Sequence, residues 1–447
     1  MGVEGQSTFR WIRTHLPELP LTIADENHDP AQLADTTTGN LTICHGEEWA
    51  QTVENHDLII KSPGIPLSRL KPLIQAEKLT SQTELFLGVY RNQTIGITGT
   101  KGKSTTAALT GHLLKENGKD VLVAGNMGIP PLDLTNQIKP ETIIVYELSS
   151  HQLEGINYSP HIALLLNIYQ EHLDHYTSYR EYQLAKLNIA RWQQPGDYLI
   201  YCSENKVVNS LVKEFPPVAK KLQYGSGFAT QEDLTDKRKD ILLEGDADNY
   251  FEVAIPEIQA LPGHHNRLNI LAAFAACSVV GLKPQNLLSA LNTFQPLKHR
   301  LERVGTYRGV TYYNDSIATI PEATMYAVQT LDRVGTLLIG GYDRGIDYKP
   351  FSHFLANSGI QYLLFTGEAG KRIMNLVQET GKATPVLEFF TNFGDMVRRA
   401  CAITNKGSVC LLSPAASSYD QFVNFEHRGN QFRSLIHEYL KANVAEG

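Results

Sequence analysis

The stretch GITGTKGKSTT, residues 96–106, decides the fold of the central part of this chain. An apolar run precedes it and a helical pattern follows it, so the sequence predicts a strand, a glycine-containing loop and a helix. Backbone N–H groups at such a helix N-terminus favour anions, Lys103 can reach β- and γ-phosphates, and a hydroxyl of Ser104 or Thr105 can hold Mg²⁺. The spacing departs by one residue from GxxxxGK[ST], because Ile97 stands where the first glycine is expected. We predict a phosphate-binding loop in preference to an ordinary glycine-rich turn.

Length, charge and cysteine usage narrow the class of protein. The 447 residues exceed what a single core usually serves and favour about three domains. The balance of 40 basic and 47 acidic side chains, a net charge of −7, argues against a nucleic-acid partner and favours small molecules. Five scattered cysteines without a CxxC motif are typical of a reducing compartment. No apolar run approaches the ~18 residues of a membrane span, so we predict a cytoplasmic protein without membrane insertion.

The first predicted domain, residues 1–88, opens with GVEGQST, an amphipathic helix and the β-type run PLTIADEN. The glycines, followed about twenty residues later by Asp25, are similar to a dinucleotide-type turn. The strand that should precede the turn is missing, which favours a true start further upstream over the loss of that strand. Residues 58–60 predict a buried strand that runs into the loop SPGIP, where Ser62 could contact a ligand; an ordinary structural turn is the alternative.

The second predicted domain, residues 89–296, places polar side chains after two further apolar runs. Glu147 follows the first run, and His172 lies in the segment EHLDHY after the second. Because the carboxyl ends of strands in a doubly wound sheet meet at one edge, a carboxylate and an imidazole there could ligate a metal, and Mg²⁺ prefers oxygen ligands. Taken alone, His172 is more typical of a surface histidine. Lys186, among apolar neighbours on a predicted helix, is by itself typical of a lysine that snorkels to solvent.

The third predicted domain, residues 297–447, alternates strands and helices again. Polar loops follow its strands at Asp315, Asp343 and residues 413–418. The whole chain is therefore predicted to be α/β, and the loops of this last domain are equally consistent with ligand contacts and with simple turns.

Taken in order, the motifs GTKGKSTT, GNMGIP, ELSS, EHLDHY, LAKLNI, GHHNRLN, HRLE, NDS, GGYDRG and SPAASSYDQF resemble those of the Mur ligase family over essentially the whole chain. The short first domain and the SPGIP loop are most similar to the glutamate-adding members. The resemblance implies a Rossmann-like N-terminal domain that binds UDP, a P-loop-type central ATPase domain with a mostly parallel sheet, and a Rossmann-like C-terminal domain that binds the amino acid. It also implies a monomer that joins glutamate to UDP-N-acetylmuramoyl-L-alanine through an acyl phosphate formed from ATP.

The same resemblance assigns roles to individual residues. Lys103, Glu147, His172 and Lys186 correspond to catalytic positions, with Lys186 carried as a carbamate. Two Mg²⁺ ions are implied, with ligands from Ser104, Thr105, Glu147, His172 and carbamylated Lys186. The implied ATP contacts are Gly99, Thr100, Lys101, Gly102, Lys103, Ser104, Thr105, His265, Asn266, Asn269, Arg300 and Asp315. The implied contacts to the other substrates are Asn126, Asp25, Ser62, Arg344, Ser418 and Phe425.

One departure from the family pattern concerns the choice of amino acid. D-glutamate-adding members carry a lysine directly after NDS, where this chain has Ile317, and the later loop reads GGYDRGID. Arg344 could take a glutamate carboxylate bidentately instead. A branch that uses L-glutamate shows a similar NDSI and DRG pattern, whereas SPAASSYDQFVNF stays close to the D-glutamate form, which we favour.

Three functions outside this activity are compatible with parts of the sequence. A first domain that lacks its opening strand is consistent with a degenerate, non-catalytic nucleotide-binding protein. An NAD-dependent oxidoreductase would leave the phosphate loop, Glu147 and His172 without a role. A folate polyglutamate ligase would share the loop and Lys186 but would not begin with a dinucleotide-type domain, so these last two functions fit the motifs poorly.

Overall fold

The computed structural model describes residues 2–26, 40–46, 49–125, 129–171, 175–226, 240–244, 249–253, 255, 261, 263–295, 297–382 and 385–442. Asn126 and His172, both predicted site residues, lie outside the described residues. The chain forms two compact units, residues 1–258 with 264–294 and residues 259–263 with 295–447. The division into three domains at residues 88 and 296 stays a prediction.

The first unit is built around an eight-stranded sheet with the strand order β12-β11-β10-β9-β8-β5-β7-β6. Strands β5 to β10 run parallel to one another. Strand β11 pairs antiparallel with β10, and β12 pairs antiparallel with β11. The strands are β5 Thr94–Thr98, β6 Val121–Gly125, β7 Ile143–Glu147, β8 Ile162–Leu165, β9 Tyr198–Cys202, β10 Lys220–Ser226, β11 Asp240–Glu244 and β12 Asn249–Val253. Strands β5 and β8 are buried at every residue, as expected of parallel strands covered on both faces.

The helices of this unit follow the sheet strands in the predicted alternation. They are α4 Gln82–Tyr90, α5 Lys103–Glu116, α6 Ser150–Leu153, α7 Tyr179–Arg191, α8 Lys206–Glu214, α9 His264–Val279 and α10 Pro284–Leu291. Ser149 and Gln152 form a capping box at the start of α6, and the Ser178 hydroxyl accepts the Glu181 backbone N–H at the start of α7. These caps satisfy N–H groups that the helix cannot pair internally, and they fix where each helix leaves the sheet edge.

The N-terminal part of this unit contains two small parallel sheets, β1 Leu21–Asp25 with β2 Leu41–His45, and β3 Ile59–Lys61 with β4 Leu79–Ser81. Its helices are α1 Val3–His15, α2 Trp49–Glu54 and α3 Leu67–Leu70. Strand β3 begins one residue later than predicted. Leu58 is 53% exposed, and the buried side chain at the end of the strand is Lys61.

The second unit holds a six-stranded sheet with the order β13-β14-β18-β15-β16-β17, in which only the β13–β14 pair is antiparallel. Its strands are β13 Glu302–Tyr307, β14 Val310–Asn314, β15 Val334–Gly340, β16 Tyr362–Thr366, β17 Val386–Phe390 and β18 Val409–Leu412. Its helices are α11 Pro321–Thr330, α12 Lys349–Asn357, α13 Gly367–Glu379, α14 Phe393–Ile403 and α15 Phe425–Ala442. Two clusters of buried apolar side chains form its core. Because β14, β18 and β15 are adjacent and parallel, the loops that follow them share one edge of the sheet.

Two general predictions can be compared with the structure. All five cysteines are free thiols; three are buried and two are partly buried. Within the described ranges, no helix combines the length and the apolar character needed to cross a bilayer.

Candidate active site

The loop between β5 and α5 has the form of a phosphate cradle. Gly102 precedes α5 with a φ of 85°, a left-handed conformation that favours glycine, and a Cβ there would overlap the side-chain oxygen of Asn269. Asn167, after β8, holds the loop from the side: its carbonyl accepts the Thr100 N–H at 2.8 Å and its Oδ1 accepts the Lys101 N–H at 2.8 Å. The loop is thus fixed by the neighbouring strand end. Sequence analysis missed Asn167, although its place directly after an apolar run was a usable signal.

The off-by-one glycine spacing has a packing explanation. Gly96 lies inside β5 rather than in the loop, and a Cβ there would overlap the ring of Pro160 and press on Leu148. The first glycine of the loop itself is Gly99, where a Cβ would lie 2.9 Å from the Cβ of Leu166. Gly96 therefore allows close packing along β5, and Gly99 allows it at the start of the loop.

Lys103 places its ammonium group over the loop. Its Nζ donates to the carbonyls of Gly99 at 2.9 Å and Thr100 at 3.0 Å. Lys101 forms an ion pair with Glu171. A cation above the N-terminus of α5 adds to the partial positive charge of that terminus, so the cradle favours phosphate oxygens.

Ser104 and Glu147 form a hydroxyl and carboxylate pair at the carboxyl edge of the sheet. The Ser104 Oγ donates to Glu147 Oε1 at 3.0 Å, and the two residues are 5% and 4% exposed. Oxygen donors of these two kinds fit Mg²⁺, which usually binds one or two carboxylates and completes its shell with substrate phosphates and water. The geometry favours Ser104 over Thr105 as the hydroxyl that could hold the metal.

Lys186 is buried behind the same loop. It is 2% exposed, its Nζ donates to the Gly99 carbonyl at 2.8 Å and lies 4.9 Å from the centre of the Tyr182 ring. The interpretation of Lys186 as a snorkelling lysine is therefore wrong. Burial, followed by the charge of Lys103, holds the pKa of the Lys186 amine well below its usual range. A lowered pKa increases the fraction of the neutral amine, which is the nucleophilic form.

Three of the predicted ATP contacts, His265, Asn266 and Asn269, lie on α9. Asn266 and Asn269 are buried, and Asn269 donates to Asn266 Oδ1 at 3.2 Å while it packs against Gly102. Asn269 is thereby joined to the phosphate loop. Burial, together with the charge of His264, lowers the pKa of His265 to about 4, so this imidazole is neutral at neutral pH.

The predicted substrate contacts Asp25 and Ser62 lie in the first small sheet and directly after β3 of the second. Asp25 ends β1 beside His45, and the Ser62 carbonyl accepts the Ile65 N–H at 3.1 Å in the loop after β3. Sequence analysis missed Lys61, whose buried Nζ donates to the Ile65 carbonyl at 2.8 Å and lies 3.5 Å from Glu154. This buried lysine fixes the shape of the SPGIP loop.

The second unit holds the remaining predicted residues, of which Asp315, Arg344 and Ser418 lie on the loops after β14, β15 and β18. Asp315 is 5% exposed and accepts the Ser413 hydroxyl at 2.8 Å and the Leu301 N–H at 3.1 Å. Burial raises the pKa of Asp315 to about 7, although these hydrogen bonds and the charge of Arg300 oppose the shift. Arg344 is exposed and donates to the Thr319 carbonyl at 3.0 Å.

Ser418 and Phe425 complete this set. Ser418 is 2% exposed and its carbonyl accepts the Phe422 N–H at 2.9 Å, while Phe425 begins α15 and its carbonyl accepts the Ser316 hydroxyl at 2.8 Å. The loops after β14 and β18 are thus joined to the start of α15. The same geometry brings in Arg428, a buried arginine that the sequence analysis passed over.

Comparison with known proteins decides the family. The Mur ligase middle domain matches residues 97–277, and the Mur ligase, glutamate ligase domain matches residues 299–416. The UDP-N-acetylmuramoylalanine--D-glutamate ligase of Symbiobacterium thermophilum is 33% identical over 398 residues, 88% of this chain and 86% of the relative. The chain belongs to the Mur ligase family. The enzyme of the same name from Bacillus thuringiensis is 33% identical over 410 residues, 89% of this chain and 87% of the relative. The predicted class of enzyme, an ATP-dependent amide ligase, is confirmed.

Solved structures of other Mur ligases share the fold. The MurF ligase of Thermotoga maritima, in complex with ADP, is 16% identical with a TM-score of 0.57 and covers 97% of this chain and 92% of its own. The UDP-N-acetylmuramate-alanine ligase MurC of Thermotoga maritima is 19% identical with a TM-score of 0.53 and covers 89% of each chain. The predicted α/β fold with a mainly parallel central sheet is confirmed.

Proposed function

We propose that this Mur ligase uses ATP to join glutamate, preferentially D-glutamate, to UDP-N-acetylmuramoyl-L-alanine. The observation that carries the proposal is the convergence of Lys103, Lys186 and the Ser104–Glu147 pair on one phosphate loop. The D-glutamate ligases that match most of the chain support the choice of substrates.

The chemistry proceeds in two displacements. An oxygen of the alanyl carboxylate attacks the γ-phosphorus of ATP, the bond to the bridging oxygen breaks, and ADP leaves behind an acyl phosphate. The neutral amine of glutamate then attacks the acyl carbon, and the tetrahedral intermediate collapses with loss of inorganic phosphate and a proton. Lys103 and the N-terminus of α5 stabilise the charge that builds on the transferring phosphoryl group.

Two bound Mg²⁺ ions would supply further neutralisation of phosphate charge. Ser104 and Glu147 would hold the first ion, and His172, which lies outside the described residues, is proposed for the second. Asn126 is proposed to contact the carboxyl end of the UDP-linked substrate. The deprotonated amine of Lys186 would add to CO₂, forming an N–C bond and losing a proton, and the resulting carbamate would offer anionic oxygens to the metals. The lowered pKa of Lys186 supports this reaction, which requires the neutral amine.

The second unit would supply the amino-acid site. Arg344 is proposed to bind a glutamate carboxylate, with Ser418 and Phe425 in the same pocket, while Arg300 and Asp315 would contact ATP. The NDSI and DRG segments favour the second candidate, ligation of L-glutamate. We further propose a monomer that works in the cytoplasm, and the five free cysteines support a reducing compartment.

Phosphate release tests the proposal. The purified protein is assayed with ATP, Mg²⁺ and UDP-N-acetylmuramoyl-L-alanine, with D-glutamate and L-glutamate in parallel reactions. We expect turnover with D-glutamate. Turnover with L-glutamate alone would make NDSI and DRG the determinants of stereochemistry, and release with neither isomer would contradict the ligase proposal.

A further inference from the structure

Arg428 is a buried cation that joins three loops of the second unit. It lies near the start of α15 and is 2% exposed. Its Nε donates to the Ser316 Oγ at 3.0 Å, and its Nη2 donates to the carbonyls of Ser316 at 2.9 Å and Ala416 at 3.1 Å. Its Nη1 donates to the carbonyls of Gly340 at 3.4 Å and Ser417 at 3.3 Å. The side chain thus contacts the loop after β14, the end of β15 and the loop after β18.

These five acceptors are neutral oxygen atoms, so dipoles rather than a bonded carboxylate surround the guanidinium. Burial lowers the pKa of Arg428 to about 10, and the charge of Asp420 opposes that shift. At neutral pH the group is therefore a cation that orients carbonyl dipoles toward itself. The planar guanidinium group, whose N–H donors point in fixed directions, suits this arrangement better than a lysine ammonium group does.

The backbone around Arg428 is strained at one position and closely packed at another. Ala415 has a φ of 56°, a left-handed conformation that is strained for a residue with a Cβ. Gly341 has a φ of 145°, and a Cβ there would overlap the Ser417 carbonyl and lie 3.1 Å from Nη1 of Arg428. The Ser417 carbonyl also accepts the Tyr342 N–H at 2.9 Å. The loops after β15 and β18 therefore cross closely over the guanidinium.

We propose that Arg428 is a positioning residue for the amino-acid substrate, because it fixes the loops that carry Arg344 and Ser418. The inference rests on the proposed function of this unit. Asp315, the proposed ATP contact, precedes Ser316 in the chain, but its own carboxylate is held by the Ser413 hydroxyl and the Leu301 N–H rather than by Arg428. Loss of the Arg428 contacts should therefore weaken glutamate binding much more than ATP binding.

The experiment compares Michaelis constants for glutamate and for ATP in Arg428→Lys and in a matched control. The ammonium group keeps the charge but cannot reproduce the five directed bonds, so we expect the glutamate KM to rise about 20-fold and the ATP KM to change less than about threefold. Phe432→Leu is the control, since Phe432 lies on the same helix with its side chain fully buried in the core. It should lower the melting temperature without raising the glutamate KM.

Ser316→Ala is the milder second variant. It removes only the hydroxyl that accepts from Nε of Arg428 and donates to the Phe425 carbonyl, and we expect a rise of about fivefold in the glutamate KM. The proposal is overturned by an unchanged glutamate KM in Ser316→Ala or Arg428→Lys, or by an equal rise in Phe432→Leu at a matched loss of melting temperature. Absence of turnover by the unsubstituted enzyme would instead contradict the proposed function.

Discussion

Two buried basic side chains, Lys186 in the first unit and Arg428 in the second, are equally hidden from water but have different surroundings. Lys186 donates to the Gly99 carbonyl, and the charge of Lys103 lowers its pKa further. Arg428 donates to five oxygen atoms on three loops, and the charge of Asp420 favours its protonated form. Burial penalises both charges, and the higher ordinary pKa of a guanidinium, together with the neighbouring charges, makes Arg428 the group that keeps its proton.

The two units therefore differ in what their buried basic groups can do. An amine that loses its proton becomes available for covalent modification, whereas a guanidinium remains charged and is suited to organising carbonyl groups. The first unit thus buries an amine of lowered pKa behind a phosphate loop. The second unit uses its cation to hold three loops in place.

Removal of the reactive amine should give the largest effect. We expect Lys186→Met to lower kcat by about 1,000-fold or more while ATP binding is retained, because the proposed metal ligand is lost and the cradle at Lys103 is kept. Phosphate release and ADP binding by calorimetry measure the two quantities. Lys115→Met, an exposed lysine of α5, is the matched control. Full activity of Lys186→Met without bicarbonate would remove Lys186 from the chemistry.

The exposed Arg344 is proposed to contact glutamate directly, whereas the buried Arg428 is proposed to act only through the loops that it holds. Arg344→Ala should raise the glutamate KM by about 30-fold with little change in the ATP KM, because the proposed charge-assisted contact to the glutamate carboxylate is lost. Arg398→Ala, at an exposed arginine that pairs with Asp395, serves as the control. If the glutamate KM of Arg344→Ala matches that of the control, Arg344 lies outside the pocket.

Substitution of Ser104, whose hydroxyl donates to Glu147, tests the proposed Mg²⁺ site. Ser104→Ala should raise the Mg²⁺ concentration for half-maximal activity by about tenfold, because it removes an oxygen donor next to the carboxylate. Thr105→Val is the comparison variant and should have a smaller effect. A larger effect in Thr105→Val would reverse the assignment, and titration of activity with Mg²⁺ distinguishes the two.

Asp315 extends the comparison to a buried acid, and we expect the smallest effect there. Its folded-state pKa of about 7 lies above the unfolded value of 3.8, so the folded state binds more protons between about pH 4 and 7 and loses stability as the pH rises through that window. The melting temperature of Asp315→Asn minus that of the unsubstituted enzyme should therefore increase by a few degrees between about pH 5 and about pH 8. Asp332→Asn, at an exposed aspartate, controls for loss of a carboxylate. A melting-temperature difference that is independent of pH would contradict the burial argument.

The strand, loop and helix around Lys103 could be predicted because their signals are local: an apolar run, glycines and helical spacing within about twenty residues. The burial of Lys186 could not, since a lysine among apolar neighbours on a helix is compatible with either snorkelling or burial until the tertiary partner, Gly99, is known. Arg428 was hidden for the same reason. Its contact with Ser316 spans 112 residues, and the segment FEHRG carries no mark of a buried arginine.

The most direct test of the account is a ¹³C NMR spectrum of the protein equilibrated with ¹³C-bicarbonate. Burial of Lys186 and the lowered pKa of its amine predict a carbamate resonance that is present in the unsubstituted enzyme and in Lys115→Met and is lost in Lys186→Met. A spectrum without this resonance, or one that Lys186→Met leaves unchanged, would contradict the claim that the first unit buries its lysine for modification.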